Sequence, residues 1–318
     1  MADPFEAYSD LDEVAERLGA ADAGERRVAV MELGHAGDPS AVPLLAGMLG
    51  DPDAGVRRQT ALALGEYDGR EAAAAIAVAL VDADTAVATA AADSAAELKD
   101  AASADPLFAL TAHASAFVRM AALRALKELR RVESLQPALA ALRDGDVSVR
   151  VQAVGVLGFL KLEETIPALE AAADDAEPQV RRAAVSALAF SHAQAATDAI
   201  EAALRDKDWM VREIAADTLG ARASGAAFSN ALIAALDDEF WQVRLKAARS
   251  LGRLKAAQAA VRIAASLRHS QVNLRKEAAA ALGEIGDVSS RPHLEAAQHD
   301  PDPDVRKTVR WALNQLAG

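Results

Sequence analysis

The side chains that could support metal chemistry in this chain are its histidines and its carboxylates. The six histidines are His35, His113, His192, His269, His293 and His299. A metal site needs such ligands grouped at a regular spacing. The six histidines do not all share one position in the repeat described below, and no His-Glu dipeptide occurs. Cysteine is absent, which excludes disulfides, thiolate ligands and a cysteine nucleophile. We therefore expect no tightly held metal and no cofactor.

One column of potential ligands recurs every 31 residues, and it comprises His35, Glu66, Glu97 and Glu128. Side chains at this period would lie on neighbouring packed helices, roughly 10 Å apart. A metal ion holds its ligands within about 2.0–2.6 Å, so the column cannot close around one ion. No G-x-S-x-G elbow and no P-loop occurs. These observations predict a solvated acidic stripe and no catalytic residues.

Charge and composition restrict the class of partner. The net charge of −13 disfavours nucleic-acid binding, because phosphate backbones are also negative. No run of 18 apolar residues predicts a membrane span. The first ten residues carry neither the basic nor the apolar segment of a secretory signal. Together with the lack of cysteine, these features lead us to expect a cytoplasmic protein, with a monomer favoured.

The elements that position all side chains follow from a repeated signature, Val-Arg-x-x-Ala-x-x-x-Leu-Gly. Its first position falls at Glu25, Val56, Val87, Val118, Val149, Val180, Val211, Val243, Leu274 and Val305. The spacing is 31 residues, except for one extra residue between Gly220 and Leu232. Self-similarity at this period indicates a solenoid, in which each unit buries its apolar face by stacking on its neighbours.

Each unit is predicted to contain two helices joined by a short acidic turn. An aspartate three residues before the signature valine, such as Asp53, is a good N-cap for the second helix. Apolar or small residues four, eight and eleven positions after the valine form one buried stripe with it. We expect the recurring glycine, such as Gly65, to loosen the helix end. The arginine after the valine lies near the acidic turn, which predicts a ladder of Arg–Asp pairs between neighbouring units.

Units such as Asp53-Ala-Gly-Val-Arg-Arg-Gln-Thr-Ala-Leu-Ala-Leu-Gly65 resemble HEAT-like repeats of the phycobilisome-lyase type. The resemblance implies an all-α, right-handed α-solenoid, or superhelix, of about ten two-helix repeats, whose second helices line the concave face. It implies a single domain over residues 1–318, with an N-terminal cap region and first helix at 1–20 and a C-terminal capping repeat at 287–318. The family includes bilin lyase subunits, many plain scaffolds and deoxyhypusine hydroxylase, whose iron-binding His-Glu pairs do not occur here.

Function in a solenoid is expected where the repeat does not dictate the residue. On that face the middle repeats are apolar, the N-terminal side is acidic and the C-terminal side is basic. The predicted binding groove comprises Met120, Val151, Phe159, Phe190, Trp209, Ile214, Trp241 and Leu245. The predicted flanking charges are Glu66, Glu97 and Glu128 on one side, and Arg249, Arg253 and Lys276 on the other. Apolar side chains on an exposed face mark binding surfaces, and Trp and Phe are favoured anchors.

Two interpretations of these aromatic residues remain open. Trp209 and Trp241 could fold over the loops, and Phe159 and Phe190 could complete the packing between units. Alternatively, the cluster forms a groove that holds another protein, which makes the chain a non-enzymatic scaffold or adaptor. A bilin lyase-like or cofactor-assembly accessory subunit is the alternative function that the resemblance implies.

Overall fold

A computed structural model describes residues 11–222 and 229–316 of the chain. Within these residues the secondary structure consists of α-helices and short 3-10 helices, with no β-strand. The chain divides into two compact units, residues 1–160 and 161–318, and each is described by itself. The predicted all-α repeat architecture is confirmed. The division into one domain with capping regions stays a prediction, and most of the segment predicted to hold the extra residue lies outside the described residues.

Unit 1 alternates a first and a second helix along the chain. Its first helices are α1 (Leu11–Arg17), α3 (Ala41–Met48), α5 (Arg70–Leu80), a 3-10 helix (Ala101–Ala112) and α8 (Leu135–Ala141). Its second helices are α2 (Ala23–His35), α4 (Ala54–Leu64), α6 (Thr85–Ala96), α7 (Ala116–Leu129) and α9 (Val147–Leu160). Each second helix contacts the next one in the series, so the second helices form one layer of this unit.

Unit 2 repeats the same alternation. Its first helices are α10 (Ile166–Ala173), α12 (Gln194–Ala202), α14 (Ser229–Ala235), α16 (Ala260–Ala265) and α18 (Arg291–Ala296). Its second helices are α11 (Pro178–Ala187), α13 (Trp209–Leu219), α15 (Trp241–Arg253), α17 (Val272–Ile285) and α19 (Pro303–Gln315). The signature valine or leucine of each second helix is buried, as are the stripe positions four residues later.

The acidic turns begin the second helices as predicted. Asp53 accepts a hydrogen bond from the backbone N–H of Val56 at 3.0 Å. Asp22, Asp84, Asp146, Asp208 and Asp302 accept equivalent bonds from the first turns of their helices. Each carboxylate satisfies a backbone donor that has no partner within the helix, which fixes where the helix begins.

The predicted Arg–Asp ladder is present, and its geometry is the same in both units. Arg57 donates from Nε and Nη2 to the two oxygens of Asp82 at 2.7 and 3.1 Å, and from Nη1 to the backbone oxygen of Asp51. We call each bidentate pair a rung. The described rungs join Arg26 to Asp51, Arg57 to Asp82, Arg119 to Asp144, Arg181 to Asp206, Arg212 to Asp238 and Arg275 to Asp300. The turn at Asp51 therefore binds Arg57 of its own repeat and Arg26 of the repeat before it.

The recurring glycines act mainly through close packing, which corrects the expectation that they loosen helix ends. Gly65 and Gly220 do follow the last residue of their helices, but Gly34, Gly252 and Gly283 lie inside theirs. A Cβ on Gly252 would lie 2.8 Å from the Cα of Ala281 on the next second helix. The absence of a side chain therefore allows the two helix backbones to approach each other.

Buried polar side chains complete these helix interfaces. Ser250 donates its hydroxyl to the backbone oxygen of Ala216 at 2.6 Å, and Ser94 donates to that of Ala61 at 2.9 Å. Arg222, which is 5% exposed, donates to the backbone oxygen of Leu188 at 3.1 Å. In each case the acceptor is a carbonyl of the preceding second helix or of the 3-10 turn that continues it, so side-chain donors supplement the backbone hydrogen bonds there.

Candidate partner-binding surface

Two neighbouring second helices of unit 2 carry a stacked aromatic pair. The ring of Trp209, the first residue of α13, lies 5.3 Å from that of Phe240, with 13° between their planes. The Arg212 guanidinium lies 5.7 Å from the centroid of Phe240, and its rung with Asp238 holds it there. Both rings are half-buried. The predicted anchor Trp209 is therefore fixed by stacking, in agreement with the packing interpretation, and retains an accessible part.

Phe240 is the one aromatic residue of this cluster that the sequence argument missed. It stands three residues before the signature Val243, where most repeats have the capping aspartate. Its backbone has the extended conformation of an N-cap, but its side chain makes no capping hydrogen bond. In most repeats the side chain at this position accepts a capping hydrogen bond, which phenylalanine cannot do. The apolar residue at this position was therefore the feature of the sequence that could have identified Phe240.

A cleft of about 360 Å³ opens between α15 and α17 of unit 2, and we call it the tryptophan cleft. Its lining residues are Glu213, Trp241, Gln242, Leu245, Arg249, Asn273, Lys276 and Glu277. Four of the residues predicted from the sequence, Trp241, Leu245, Arg249 and Lys276, are thus brought together. Trp241 and Leu245 are half-buried, which leaves part of each apolar side chain available for contact.

The predicted basic flank is a network of paired charges. Arg249 donates from Nε and Nη2 to Glu277 at 3.0 and 2.7 Å. Lys246 binds Asp217 at 3.2 Å, and a nitrogen of Arg253 lies 3.9 Å from the same carboxylate. Acidic side chains, Glu277 on α17 and Asp217 on α13, lie between these cations and pair with them. Lys276 is exposed at the rim of the cleft.

One residue that lines the tryptophan cleft, Gln242, carries an unsatisfied acceptor. The side-chain oxygen Oε1 of Gln242 is buried and has no partner among the described residues. An unsatisfied buried acceptor costs free energy. The cleft therefore combines partly exposed apolar side chains with charged residues.

The remaining predicted groove residues of unit 2 are partly covered. Phe190 lies in the 3-10 turn Leu188–Phe190 that follows α11, and Ile214 lies on α13. Both side chains are half-buried. They contribute apolar surface without projecting fully into solvent.

In unit 1, Phe159 is the most prominent of the predicted residues. It is 37% exposed, and its ring centroid lies 5.2 Å from Lys127 Nζ and 5.2 Å from the guanidinium of Arg130. Met120 and Val151 are half-buried. A cation–π pair stabilises the ring without removing it from the surface.

The acidic flank lies on the exposed surface of unit 1. Glu97 and Glu128 line one cleft of about 470 Å³, together with Lys99, Arg124 and Lys127. Glu66 is exposed just after α4. The carboxylates alternate with cations here too, so this surface is mixed in charge.

Within residues 11–222 and 229–316, no group of three or more His, Cys, Asp or Glu side chains is placed to hold a metal ion. None of the helices that the structure describes is long and apolar enough to cross a membrane.

The family follows from both the fold and the sequence. The model of HEAT repeats matches residues 11–84, 73–154, 104–189, 166–228 and 229–314, which together cover nearly the whole chain. The chain therefore belongs to the HEAT-repeat family, and its fold is an α-solenoid. Among curated proteins, none matches the sequence.

Solved structures with similar folds include an engineered protein, with a TM-score of 0.52 and 19% identity over 97% of this chain and 99% of that one. Importin beta matches with a TM-score of 0.64 and 15% identity over 96% of this chain and 50% of its own. The structure describing how Kap95p binding changes the switch loops of RanGDP matches with a TM-score of 0.68 and 13% identity, over 98% of this chain and 51% of that one. This chain spans about half the length of these two neighbours, and the identities establish similarity of fold alone.

Proposed function

We propose that this chain is a non-enzymatic scaffold that binds a segment of a partner protein in the tryptophan cleft of unit 2. The observation that carries the proposal is the combination of the half-buried Trp241 and Leu245 with the exposed Lys276 in one cleft. Kap95p, a neighbour in fold, binds RanGDP, which supports a protein partner for a solenoid of this kind. The predicted groove residues outside the cleft, from Met120 to Trp209, are proposed as additional contact surface within their own units.

The partner is expected to present an apolar anchor beside an acidic group. Arg249 and Glu277 neutralise each other, whereas Lys276 at the rim is exposed and attracts an acidic group. Charges at the rim affect the association rate more than the final affinity. We propose that the protein acts as a monomer in the cytoplasm. Without cysteine, the chain has no disulfide bond that the reducing conditions there could break.

The test is a partner pull-down with the wild type and the Trp241→Ala/Leu245→Ala double variant. Truncation of an anchor in a desolvated cleft costs about 2 kcal/mol or more of binding free energy, so the captured partner should be lost. Trp311→Ala is the matched control, because Trp311 is an exposed tryptophan of unit 2 outside the cleft. If the double variant folds and still captures every partner, the tryptophan cleft is not the partner-binding site.

Trp209→Ala separates the two interpretations of the stacked pair. If the ring mainly packs on Phe240, the variant loses stability and keeps its partner once folded. If the ring mainly anchors the partner, the variant keeps its melting temperature and loses binding. Circular dichroism and the same pull-down distinguish these results.

A finer assignment, to the phycobilisome-lyase type of HEAT-like repeat, rests on units such as residues 53–65. It carries the alternative function of a bilin lyase-like or cofactor-assembly subunit. Mixing the purified protein with a bilin tests this alternative. A red-shifted or fluorescent complex would support it, and an unchanged bilin spectrum would count against it.

A further inference from the structure

Between two repeats of unit 2 the ladder keeps its arginine but has no carboxylate. Arg244 occupies the position of Arg212 and Arg275, yet the residue 25 positions further on is His269 instead of aspartate. Nη2 of Arg244 lies 3.3 Å from Nε2 of His269. Nε of Arg244 is buried and has no hydrogen-bond partner within the described residues. In the complete rungs the same nitrogen donates to an aspartate oxygen, at 2.7 Å in Arg275.

His269 takes over one of the two tasks of the missing aspartate. In a complete rung, Asp300 accepts the backbone N–H of Asp302 at 2.9 Å and also accepts from the arginine of the preceding repeat. His269 accepts the backbone N–H of Gln271 at its Nδ1, at 3.0 Å. The turn is therefore preserved. The second task, which is to accept from Arg244, falls to Nε2.

The hydrogen on the imidazole ring prevents that second task. Burial, followed by the positive charges of Arg244 and Arg275, lowers the pKa of His269 below its ordinary value of 6.5, so the ring is neutral at pH 7. A neutral imidazole has one acceptor nitrogen and one N–H donor. Because Nδ1 accepts from Gln271, Nε2 carries the hydrogen. Two donors, Nη2–H of Arg244 and Nε2–H of His269, thus face each other with no acceptor between them.

The other histidine in a turn provides an internal comparison. His113 accepts the backbone N–H of Ser115 at 3.1 Å in the same way, but the preceding repeat has Ala88 where the arginine would be. In that repeat both partners of the rung are replaced together. At Arg244 the cation is retained without its counter-ion, and an uncompensated, half-buried guanidinium is costly.

We propose that Arg244 and His269 form a binding site for a carboxylate that comes from outside the ladder. One carboxylate oxygen placed beside the two facing N–H groups accepts from both of them. A carboxylate fits best because it is the group that the complete rungs hold against the same edge of arginine. Both side chains are only half-buried, and Ser270 and Gln271 beside them are exposed, so a carboxylate can approach Nη2 of Arg244 and the imidazole from solvent while Nε of Arg244 stays buried. The site does not depend on the tryptophan cleft.

The test follows the arginine Nε–H resonances of the full-length protein by NMR during titration with sodium acetate, with sodium chloride at equal ionic strength as the blank. Arg244→Gln identifies the Arg244 signal. In the wild type the chemical shift of the Arg244 signal is expected to change with acetate concentration and to saturate. The Arg212 signal should shift no more with acetate than with sodium chloride, because Asp238 already closes the rung of Arg212. No movement of the Arg244 signal, or equal movement of both signals, overturns the proposal.

His269→Asp is the decisive variant, because it supplies the missing carboxylate from within the chain. It is expected to abolish the acetate response of Arg244 and to raise the melting temperature. A response that persists in the folded variant contradicts the proposed site. The wild-type comparison of Arg244 with Arg212 decides the matter if the variant does not fold.

A second titration uses N-acetyl-aspartyl-N-methylamide, which presents the carboxylate as a protein side chain does. Movement of the Arg244 signal with both probes shows that the site accepts an acidic side chain of a protein. Movement with acetate alone identifies free carboxylates as the ligand.

Discussion

At the residue scale, the rung is the unit that joins one repeat to the next. Arg57 binds Asp82 through two parallel hydrogen bonds, with side chains 18% and 13% exposed. Such bidentate pairs combine charge with a fixed direction, and they are stronger than pairs of neutral groups. Removing one partner leaves the other charge half-buried without compensation, which costs more than the pair itself contributes.

Asp82→Ala is therefore expected to lower the free energy of unfolding by about 2 kcal/mol, as measured by urea denaturation. Glu32→Ala is the matched control, since it breaks the Arg17–Glu32 pair, whose side chains are 39% and 41% exposed. Exposed pairs contribute little, so the control should unfold at the wild-type urea concentration. Equal losses in the two variants would contradict the structural role of the rung.

The sequence predicted the rungs because one residue type recurs at one position beside an acidic turn. It could not predict the environment of single variable residues. Arg249 was predicted as a free flanking charge, but it is bound to Glu277 on the next second helix. That pairing depends on which side chains of two neighbouring helices lie opposite each other. A comparison of residues at the same position of each repeat does not contain this information.

At the scale of the element, glycine sets the distance between neighbouring second helices. Gly252 lies within α15, where it approaches the backbone of Ala281 on α17. The recurring glycine of the repeat therefore lies at a contact between two helices at this position. Periodicity predicted where the helices lie and which stripe is buried. It could not distinguish a glycine that ends a helix from one that admits a neighbouring backbone, because both recur at the same position.

Gly252→Ala should destabilise the protein by about 1–3 kcal/mol, because the added methyl group would meet a backbone atom that cannot move independently. Gly47→Ala is the control within a helix, since a Cβ at Gly47 in α3 meets no atom within 4 Å. That substitution should stabilise the protein by about 0.5–1 kcal/mol through the higher helix propensity of alanine. Thermal melting of both variants measures the difference in sign.

At the scale of the whole molecule, carboxylates held by arginine are distributed through both units. Hydrogen bonds from the arginines are the largest cause that lowers the pKa of Asp51, Asp82, Asp144 and Asp300 below 3.8. A carboxyl group whose pKa is lower in the folded state stabilises the fold when it is ionised. This contribution is complete above about pH 5 and is lost as the pH falls through the depressed pKa values.

We expect the free energy of unfolding to stay nearly constant with respect to these groups from pH 7 to about pH 5 and then to fall steeply toward pH 3. Urea denaturation at a series of pH values measures the slope. Asp82→Asn should be less stable at pH 7 and show a shallower slope, because it removes one of the protons taken up on unfolding. An acid slope identical to that of the wild type would show that Asp82 does not titrate differently in the folded state.

The ladder also bears on how a chain of this kind changes its length during evolution. In the rungs the arginine binds an aspartate 25 residues further on, whichever copies the two belong to, and the Arg212–Asp238 rung forms equally well at 26 residues. Loss or duplication of one complete copy by unequal recombination therefore brings an arginine and an aspartate together at the new junction. No second mutation is needed to repair it. Array length is thus a heritable variable that can change by whole repeats while a rung still joins the repeats at the new junction.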